Sequence, residues 1–391
     1  MFQLDPELEA FRQEIRKTAE RAFKEKAAYW DAHEEFPYEN RELLRKLGYL
    51  GMVIPEQYGG VGAPVIQATI LLEEIARVCF NTALVAQLAI NGPSRAIAVL
   101  ANEEQKQRWL PKCASGEYQF YIGISEPGAG SAMTDMVAGV SDDGGDQVIL
   151  SGQKCFCTGG QFATHVLVFA RWGKCDGSKG IGALVVERGT PGFAVGGATP
   201  KMGGRGMPEV DLYFDHCQVP RENVILAGDP NSSKTFKRLI SSFGPERVGN
   251  AAMCLGAAQG AYEEAIAYSK ERQQFGRPIC EFQGLQWKIA DMAVQLHAAR
   301  LMIYRAATHL VDGFPDPMDA SIAKLFANEM AQRVTNEALQ MHGHSGFTRV
   351  LPLERHFRDV RGMGLGGGTT EILRNTIAGI AYGRTFEQRR V

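Results

Sequence analysis

Hydrophobic residues recur every three or four positions through the first part of the chain. Leu8, Phe11 and Ile15 form one apolar face, which is the pattern of an amphipathic helix. The preceding Asp5-Pro6 pair is typical of a helix start, because Pro fits the first helical position. Similar helical patterns follow, separated by Gly and Pro. Residues 1–118 are therefore predicted to form an N-terminal helical domain.

The pattern changes between residues 119 and 229. Gly becomes frequent, and short runs rich in β-branched residues are bounded by turn residues, as expected for strands. No helical segment alternates with these runs, so the spacing favours a small antiparallel β-barrel or sandwich. The predicted strands include residues 147–151, 165–169, 182–187 and 210–214.

Long helical periodicity returns in residues 230–391 and predicts a C-terminal helical bundle. A glycine-rich stretch at residues 362–368 interrupts it before a last predicted helix at 370–382. The predicted fold class is therefore mainly α with a central β-domain, enclosed by one helical domain on each side in sequence.

Composition narrows the functional classes. The 391 residues carry a net charge of −2, so no single-sign field is available for nucleic acid or an anionic membrane. The N-terminus lacks the apolar core of a secretory signal, and no apolar run reaches the roughly 18 residues of a membrane span. We expect a cytoplasmic protein, or the mature part of a targeted one. The eight scattered cysteines predict reduced thiols, and the histidine spacing predicts no metal site.

Four segments resemble one known family. The first, Ser125-Glu-Pro-Gly-Ala-Gly-Ser131, follows a predicted strand and is similar to the signature loop of the acyl-CoA dehydrogenases. Its glycines allow close approach of the backbone to a ligand. The resemblance implies that Ile124 and Ser125 bond the flavin ring of FAD and that Ser131 contacts FAD and coenzyme A. Alone, the segment could equally be a tight turn between strands.

The second segment, Gly152-Gln-Lys-Cys-Phe-Cys-Thr158, resembles a strand of the same family that borders the flavin. Phe156 stands where the family usually has Trp, which keeps a stacking surface but loses the indole N–H. The resemblance implies that Phe156 packs near FAD and that Thr158 bonds its ring. A core aromatic on a buried strand would also explain Phe156.

The third segment runs from Tyr268 to Pro278 and continues to Gln283. It resembles the stretch with which family members contact the FAD of a neighbouring subunit, through residues matching Arg272, Phe275 and Gln283. Arg272 offers the rigid fork of donors that suits a pyrophosphate. This resemblance implies a homo-oligomer, usually a tetramer. The alternative for Arg272 is a surface ion pair with a nearby Glu.

The fourth segment comprises residues 338–347 and 366–374 and resembles the C-terminal part of the family. The resemblance implies that Gln340 and Gly343 border FAD. It also implies that Thr369 and Glu371, at a helix start, approach a phosphate or ribose of the cofactor.

The sequence departs from the family at the catalytic base, which must remove an α-proton. Most members carry a Glu where this chain has Gly367. A minority, including isovaleryl- and long-chain acyl-CoA dehydrogenases, carry the base where this chain has Glu246. Glu246 is therefore predicted to be the base, although Pro245-Glu246 could also simply start a helix.

The remaining substrate contacts follow from the same comparison. The backbone N–H of Gly367 is predicted to bind the thioester oxygen, because that role needs no side chain. Arg247 is predicted to face the coenzyme A phosphates or the base. Gly244 and Gly368 are also predicted to contact the substrate.

These expectations describe an FAD-dependent acyl-CoA dehydrogenase. Glu246 would remove the α-proton, the β-hydride would pass to flavin N5, and the product would be a 2,3-enoyl-CoA. The expected electron acceptor is electron-transfer flavoprotein. One alternative is a 3-sulfinopropionyl-CoA desulfinase-type enzyme, a group that lacks the usual base. Another is a non-enzymatic flavoprotein, because loss of the Glu at position 367 is also what decay would produce.

Overall fold

The computed structural model describes residues 4–386 and residue 388. Its helix–β–helix order confirms the predicted fold class. The side chain of Asp5 accepts a hydrogen bond from the backbone N–H of Leu8 at 2.8 Å and so caps the first helix. The helices of the N-terminal part are α1 (Pro6–Ala22), α2 (Ala27–Ala32), α3 (Tyr38–Lys46), α4 (Val65–Ala76), α5 (Phe80–Asn91), α6 (Pro93–Leu100) and α7 (Glu103–Ala114).

The central part is one eight-stranded sheet with the order β6-β7-β3-β2-β4-β5-β8, in which β1 also pairs with β4. The sheet is mixed and open, whereas the strand spacing favoured an antiparallel barrel or sandwich. Both β1 and β2 run parallel to β4, a pairing that strand spacing cannot reveal because it depends on connections over the sheet. The strands are β1 (Phe120–Gly123), β2 (Gly139–Ser141), β3 (Gln147–Thr158), β4 (His165–Trp172), β5 (Ile181–Glu187), β6 (Phe193–Thr199), β7 (Glu209–Pro220) and β8 (Val224–Leu226).

The C-terminal part is a bundle of long helices with two short hairpins. Its elements are α8 (Lys234–Ser241), α9 (Gly244–Glu271), β9 (Gln273–Gln274), β10 (Arg277–Pro278), α10 (Gln283–Thr308), β11 (Leu310–Val311), β12 (Phe314–Pro315), α11 (Pro317–Met341), α12 (His344–Phe347), α13 (Leu353–Met363) and α14 (Thr370–Ala381). The predicted domain limits at 118 and 229 stay predictions. Residues 1–3, 387 and 389–391, at their outer ends, lie outside the described residues.

The two helical parts share one hydrophobic core, in which α4 packs directly on α9. One helical stretch, Phe80–Leu100, is long and apolar enough to cross a membrane, but 72% of its apolar window is buried inside the protein. Burial of this kind is what the core helix of a globular protein shows. The stretch also breaks at Gly92, where Pro93 starts α6.

Alternate residues of β4 face two different clusters, as the pleat of a strand requires. Leu167 and Phe169 join a cluster that includes residues of α6 and α7, while Val166 and Val168 join side chains of β3 and β7. Phe243, just before α9, also packs against the first cluster and lies 5.8 Å from Phe169 between ring centroids. The sheet is thereby fixed beside the start of α9, where the candidate base lies.

Candidate active site

Glu246 lies in the first turn of α9, after Pro245. Its carboxylate forms no hydrogen bond with any residue that the structure describes, so no cap contact explains it. It faces Gly367 instead: a Cβ atom added there would lie 2.8 Å from Glu246 Oε2 and 3.0 Å from Oε1. A side chain at position 367 would therefore enter the space that the Glu246 carboxylate occupies.

Gly367 has a φ of +67°, a left-handed conformation that glycine adopts without steric cost. The residue is exposed, and within residues 4–386 its N–H donates to no acceptor. An open N–H beside a carboxylate provides both a donor and a base around one cleft. These two groups are what enolate formation from a thioester requires.

The surroundings of Glu246 change its acidity. Burial raises the pKa of the Glu246 carboxyl, while the positive charges of Lys324 and Arg247 oppose that rise. The residue nevertheless keeps part of its surface exposed. A raised pKa in a cleft is a common property of a general base, since it brings the carboxylate closer to the basicity that proton removal needs.

The side chains of α5 that contact the first turn of α9 are neutral amides. Gln87, from α5, donates a hydrogen bond to the backbone oxygen of Glu246 at 2.9 Å. Asn91 in turn donates to the Gln87 side-chain oxygen at 2.9 Å. A side chain at Gly249 would clash with both amides. These contacts fix the first turn of α9 against α5.

Arg247 lies next to the candidate base and is largely enclosed. Its Nε is buried without a hydrogen-bond partner, and no carboxylate of the described chain lies within ion-pair distance. Burial lowers the pKa of its guanidinium, and Glu246 opposes that change. A buried guanidinium nitrogen without a partner is costly, so Arg247 is suited to an anionic ligand. Gly244, two residues before Glu246, is buried against Pro315.

The loop from Ser125 to Ser131 is held by a buried ion pair. Lys154 on β3 is fully buried and contacts a Glu126 carboxylate oxygen at 2.7 Å. The Lys154 ammonium also donates to the backbone oxygen of Ile124 at 3.1 Å, and the Cys155 N–H donates to Ser125 oxygen at 2.8 Å. The two segments that resemble flavin-binding motifs are thus brought together. Ser131 itself is exposed.

Phe156 does not belong to the core, contrary to one of the two interpretations above. It lies at a bulge in the pairing of β3 with β7, its φ is +54°, and it is 65% exposed. A bulge of this kind re-aims a side chain out of the sheet. Phe156 is therefore available to a planar ligand. Thr158, further along β3, donates a hydrogen bond to Glu209 at 3.4 Å.

Arg272, Phe275 and Gln283 are exposed and lie just before, within and after the β9–β10 hairpin, respectively. The Arg272 side chain has no ion pair among the described residues, and Glu263 pairs with Arg77 instead, so the ion-pair alternative is not supported. Phe275 is 93% exposed with a φ of +52°. No described contact joins this group to Glu246.

Gln340 and Gly343 are exposed at the end of α11. His342 stacks on Tyr268 with ring centroids 4.3 Å apart, which brings this end of α11 near the hairpin that follows α9. Thr369 caps α14 by accepting a hydrogen bond from the Ile372 N–H at 3.3 Å. Glu371 is exposed and accepts from Thr370 at 3.0 Å.

Sequence reasoning missed Lys324, which lies on the buried face of α11. Its ammonium donates to the backbone oxygens of Gly366 and Gly368, both at 2.9 Å. The only signal in the sequence is a lysine within the alanine-rich segment 320–327. A lysine on a buried helical face requires partners, but the sequence does not say which.

The sequence also missed a grouping of His309, Asp316 and Asp319, whose ligand atoms lie within 4.8 Å of one another. Asp316 already caps α11, and Asp319 pairs with His309 and Arg305. Existing partners thus account for these side chains.

Three domain families match the chain by sequence, in the order of the fold. They are described as the N-terminal domain of acyl-CoA dehydrogenase over residues 5–117, the middle domain over 122–217 and the C-terminal domain over 236–381.

Named relatives and solved structures cover nearly the whole chain. The 3-sulfinopropanoyl-CoA desulfinase of Advenella mimigardefordensis is 40% identical over 97% of this chain and 94% of its own length. The short-chain-specific acyl-CoA dehydrogenase of Clostridium acetobutylicum is 37% identical over 97% and 98%, respectively. The butyryl-CoA dehydrogenase structure from Megasphaera elsdenii superposes with a TM-score of 0.91 at 33% identity, covering 98% of this chain and 100% of that one.

Proposed function

This chain belongs to the acyl-CoA dehydrogenase family, and from that premise we propose that it oxidises the Cα–Cβ bond of an acyl-CoA with Glu246 as the base. The observation that carries the proposal is the position of the Glu246 carboxylate, which fills the space beside Gly367. Family membership confirms the predicted oxidoreductase class and the predicted FAD cofactor.

Each of three residues of the chain has a separate role in the proposed reaction. Glu246 takes the α-proton onto its carboxylate, and the Gly367 N–H donates to the thioester oxygen as negative charge develops there. Bound FAD supplies the acceptor for the hydride that leaves Cβ. Arg247, whose Nε lacks a partner, faces a coenzyme A phosphate.

The residues present fit FAD. Phe156 offers an exposed ring where β3 bulges. Added Cβ atoms at Gly128 and Gly130 would contact nothing within 4 Å, so the loop after Ile124 is open to a ligand. Lys154 and Glu126 hold that loop in place.

Desulfination remains the second candidate, because a desulfinase is among the relatives with similar sequence. A sulfinate at the end of the acyl group would need a cation near it. With Arg247 assigned to a coenzyme A phosphate, the neighbouring α5 side chain Gln87 is neutral, and the Glu246 carboxylate would repel a sulfinate. These two side chains favour dehydrogenation.

The proposal is tested with the purified FAD-loaded protein under anaerobic conditions. Short, branched and cyclic acyl-CoAs are mixed with it, and flavin absorbance is followed while the product is analysed by mass. We expect bleaching with at least one saturated acyl-CoA and a product two hydrogens lighter. Sulfite release from 3-sulfinopropanoyl-CoA would favour the second candidate. No response to any thioester would favour a non-enzymatic flavoprotein.

The rate of bleaching should depend on pH through Glu246. Only the ionised carboxylate can take a proton, and burial raises the pKa of this carboxyl. The rate at saturating acyl-CoA should therefore fall as the pH drops through that raised pKa, at higher pH than the value of about 4.3 for an exposed Glu. Stopped-flow traces recorded from about pH 5 to about pH 9 measure this fall in rate, and the FAD that the protein retains is checked at each pH. A flat profile would contradict the assignment.

The assembly and partners belong to the same proposal. We infer a homotetramer, supported by exposed apolar side chains in the C-terminal part: Phe275 93%, Trp287 61%, Phe347 73% and Val350 87%. Patches of this kind mark association surfaces. The acyl-CoA substrate agrees with the family. Electron-transfer flavoprotein is the proposed acceptor, and the cytoplasm is the proposed compartment.

A further inference from the structure

Lys324 lies beneath the glycine loop that connects α13 to α14. Its side chain is fully buried, and no carboxylate in the described part of the chain lies within ion-pair distance of its ammonium. An uncompensated buried cation is costly, so dipoles must replace the water that it loses. The position of those dipoles gives Lys324 a role beyond packing.

Three backbone carbonyls surround the ammonium. Lys324 Nζ donates to the oxygens of Gly366 and Gly368, each at 2.9 Å, and to that of Met363 at 3.1 Å. The ammonium also lies 3.5 Å from the side-chain oxygen of Asn328, a longer fourth contact. Asn328, one turn further along α11, donates to the side-chain oxygen of Asn250 on α9 at 2.9 Å. The lysine therefore ties the glycine loop to the helices around Glu246.

The bond to the Gly366 oxygen fixes the direction of the next N–H. The described chain contains no cis peptide bond, and in a planar trans peptide the C=O and the following N–H point in opposite directions. Since the Gly366 oxygen points at Lys324, the Gly367 N–H points away from it. That N–H has no acceptor among residues 4–386, and the Glu246 carboxylate lies on the side of Gly367 where a Cβ would stand.

We propose that Lys324 is a positioning residue for thioester activation, which holds the Gly366–Gly367 peptide so that its N–H is aimed at the thioester oxygen. The ammonium also polarises the peptide, since hydrogen bonds in a chain strengthen one another. This inference rests on the proposed function and adds to it the residue behind the oxyanion site.

The charges around Glu246 provide a second readout. Arg247 on the same helix and Lys324 from α11 are the charged groups that act on the Glu246 carboxyl, whereas α5 presents neutral Gln87 and the loop presents glycine. Lys324 opposes the burial that raises the pKa of Glu246. Removing its charge should move the acidic limb of the rate to higher pH, a shift that reports the charge of Lys324 rather than the alignment of the peptide.

The test uses FAD-loaded Lys324→Met, with folding checked by circular dichroism and flavin content by absorbance. We expect the bleaching rate at saturating acyl-CoA to fall about 10- to 100-fold, because the donor is misaligned rather than removed. The half-saturating concentration should change less than about threefold, since the effect is on the transition state.

Acetoacetyl-CoA isolates the activation step, because it loses an α-proton but carries no hydrogen on Cβ to transfer as hydride. Titrating its enolate absorbance on the enzyme should show ionisation about 1–2 pH units higher in Lys324→Met than in the wild type. Identical ionisation and identical rates in the two proteins would overturn the proposal for Lys324.

Lys324→Gln tests the positioning role of Lys324 if the Lys324→Met variant does not fold. A glutamine is neutral and has two amide hydrogens, so it cannot hold three carbonyls. We expect a loss of the same sign, and a wild-type rate and pH profile in Lys324→Gln would refute the inference. Failure of the wild type itself to bleach or to ionise acetoacetyl-CoA would instead reject the proposed function.

Discussion

Glu246→Gln should reduce acyl-CoA-dependent flavin bleaching on the order of 1,000-fold, because a positioned general base contributes about 10²- to 10⁴-fold. Glutamine keeps the size and shape of the side chain but cannot take the α-proton. The carboxylate forms no hydrogen bond in residues 4–386, and it faces Gly367. We therefore expect FAD content and folding to remain as in the wild type. Anaerobic stopped-flow absorbance with the best acyl-CoA measures the rate.

Glu264→Gln is the matched control for this substitution. Glu264 lies on the same helix, 18 residues further on, which is about 27 Å away at the rise of an α-helix. The chemical change is the same, so a general effect of losing a carboxylate from α9 would appear in both variants. Bleaching at the wild-type rate in Glu246→Gln would place the base elsewhere. An equal loss of bleaching rate in Glu264→Gln would show that the effect of Glu246→Gln is not specific to position 246.

The sequence predicted the order of the three parts because helical and strand periodicities differ and the boundaries carry Gly and Pro. It could not predict that β1 and β2 run parallel to β4, because periodicity is the same in both directions. Phe156 was open to two interpretations for a similar reason. Whether a residue faces inward depends on the bulge after Lys154, which comes from the pairing with β7.

At the candidate site, the pair formed by Glu246 and Gly367 could be predicted from the family resemblance. Position 367 lacks the carboxylate that most members carry there, and position 246 supplies one. Their proximity is a contact across 121 residues that only the fold reveals. Lys324 had no such signal, since its partners are backbone carbonyls of Met363, Gly366 and Gly368. Backbone acceptors are present at every position, so residue types cannot identify them.

Gly367→Ala is expected to lower bleaching to a similar extent, about 1,000-fold, because it disturbs both the base and the donor. The new Cβ would lie 2.8 Å from Glu246 Oε2 and 3.0 Å from Oε1, so the carboxylate must move. Alanine at a φ of +67° is also strained by about 1–2 kcal/mol, which favours rotation of the peptide and its N–H. Rates at saturating acyl-CoA and thermal unfolding of the same preparations separate the two effects.

Gly368→Ala distinguishes collision from strain. Its φ is +93°, so an alanine there is strained in the same sense, but the nearest atoms to the added Cβ lie 3.9 and 4.0 Å away, on Ile372 and Leu373. We expect a similar loss of stability, about 1–3 kcal/mol, with a loss of rate of about tenfold or less. If Gly367→Ala and Gly368→Ala lose the same amount of rate, backbone strain alone explains why both positions require glycine. If only Gly367→Ala loses most of its rate, the glycine at 367 is required because a carboxylate from another helix occupies the space beside it.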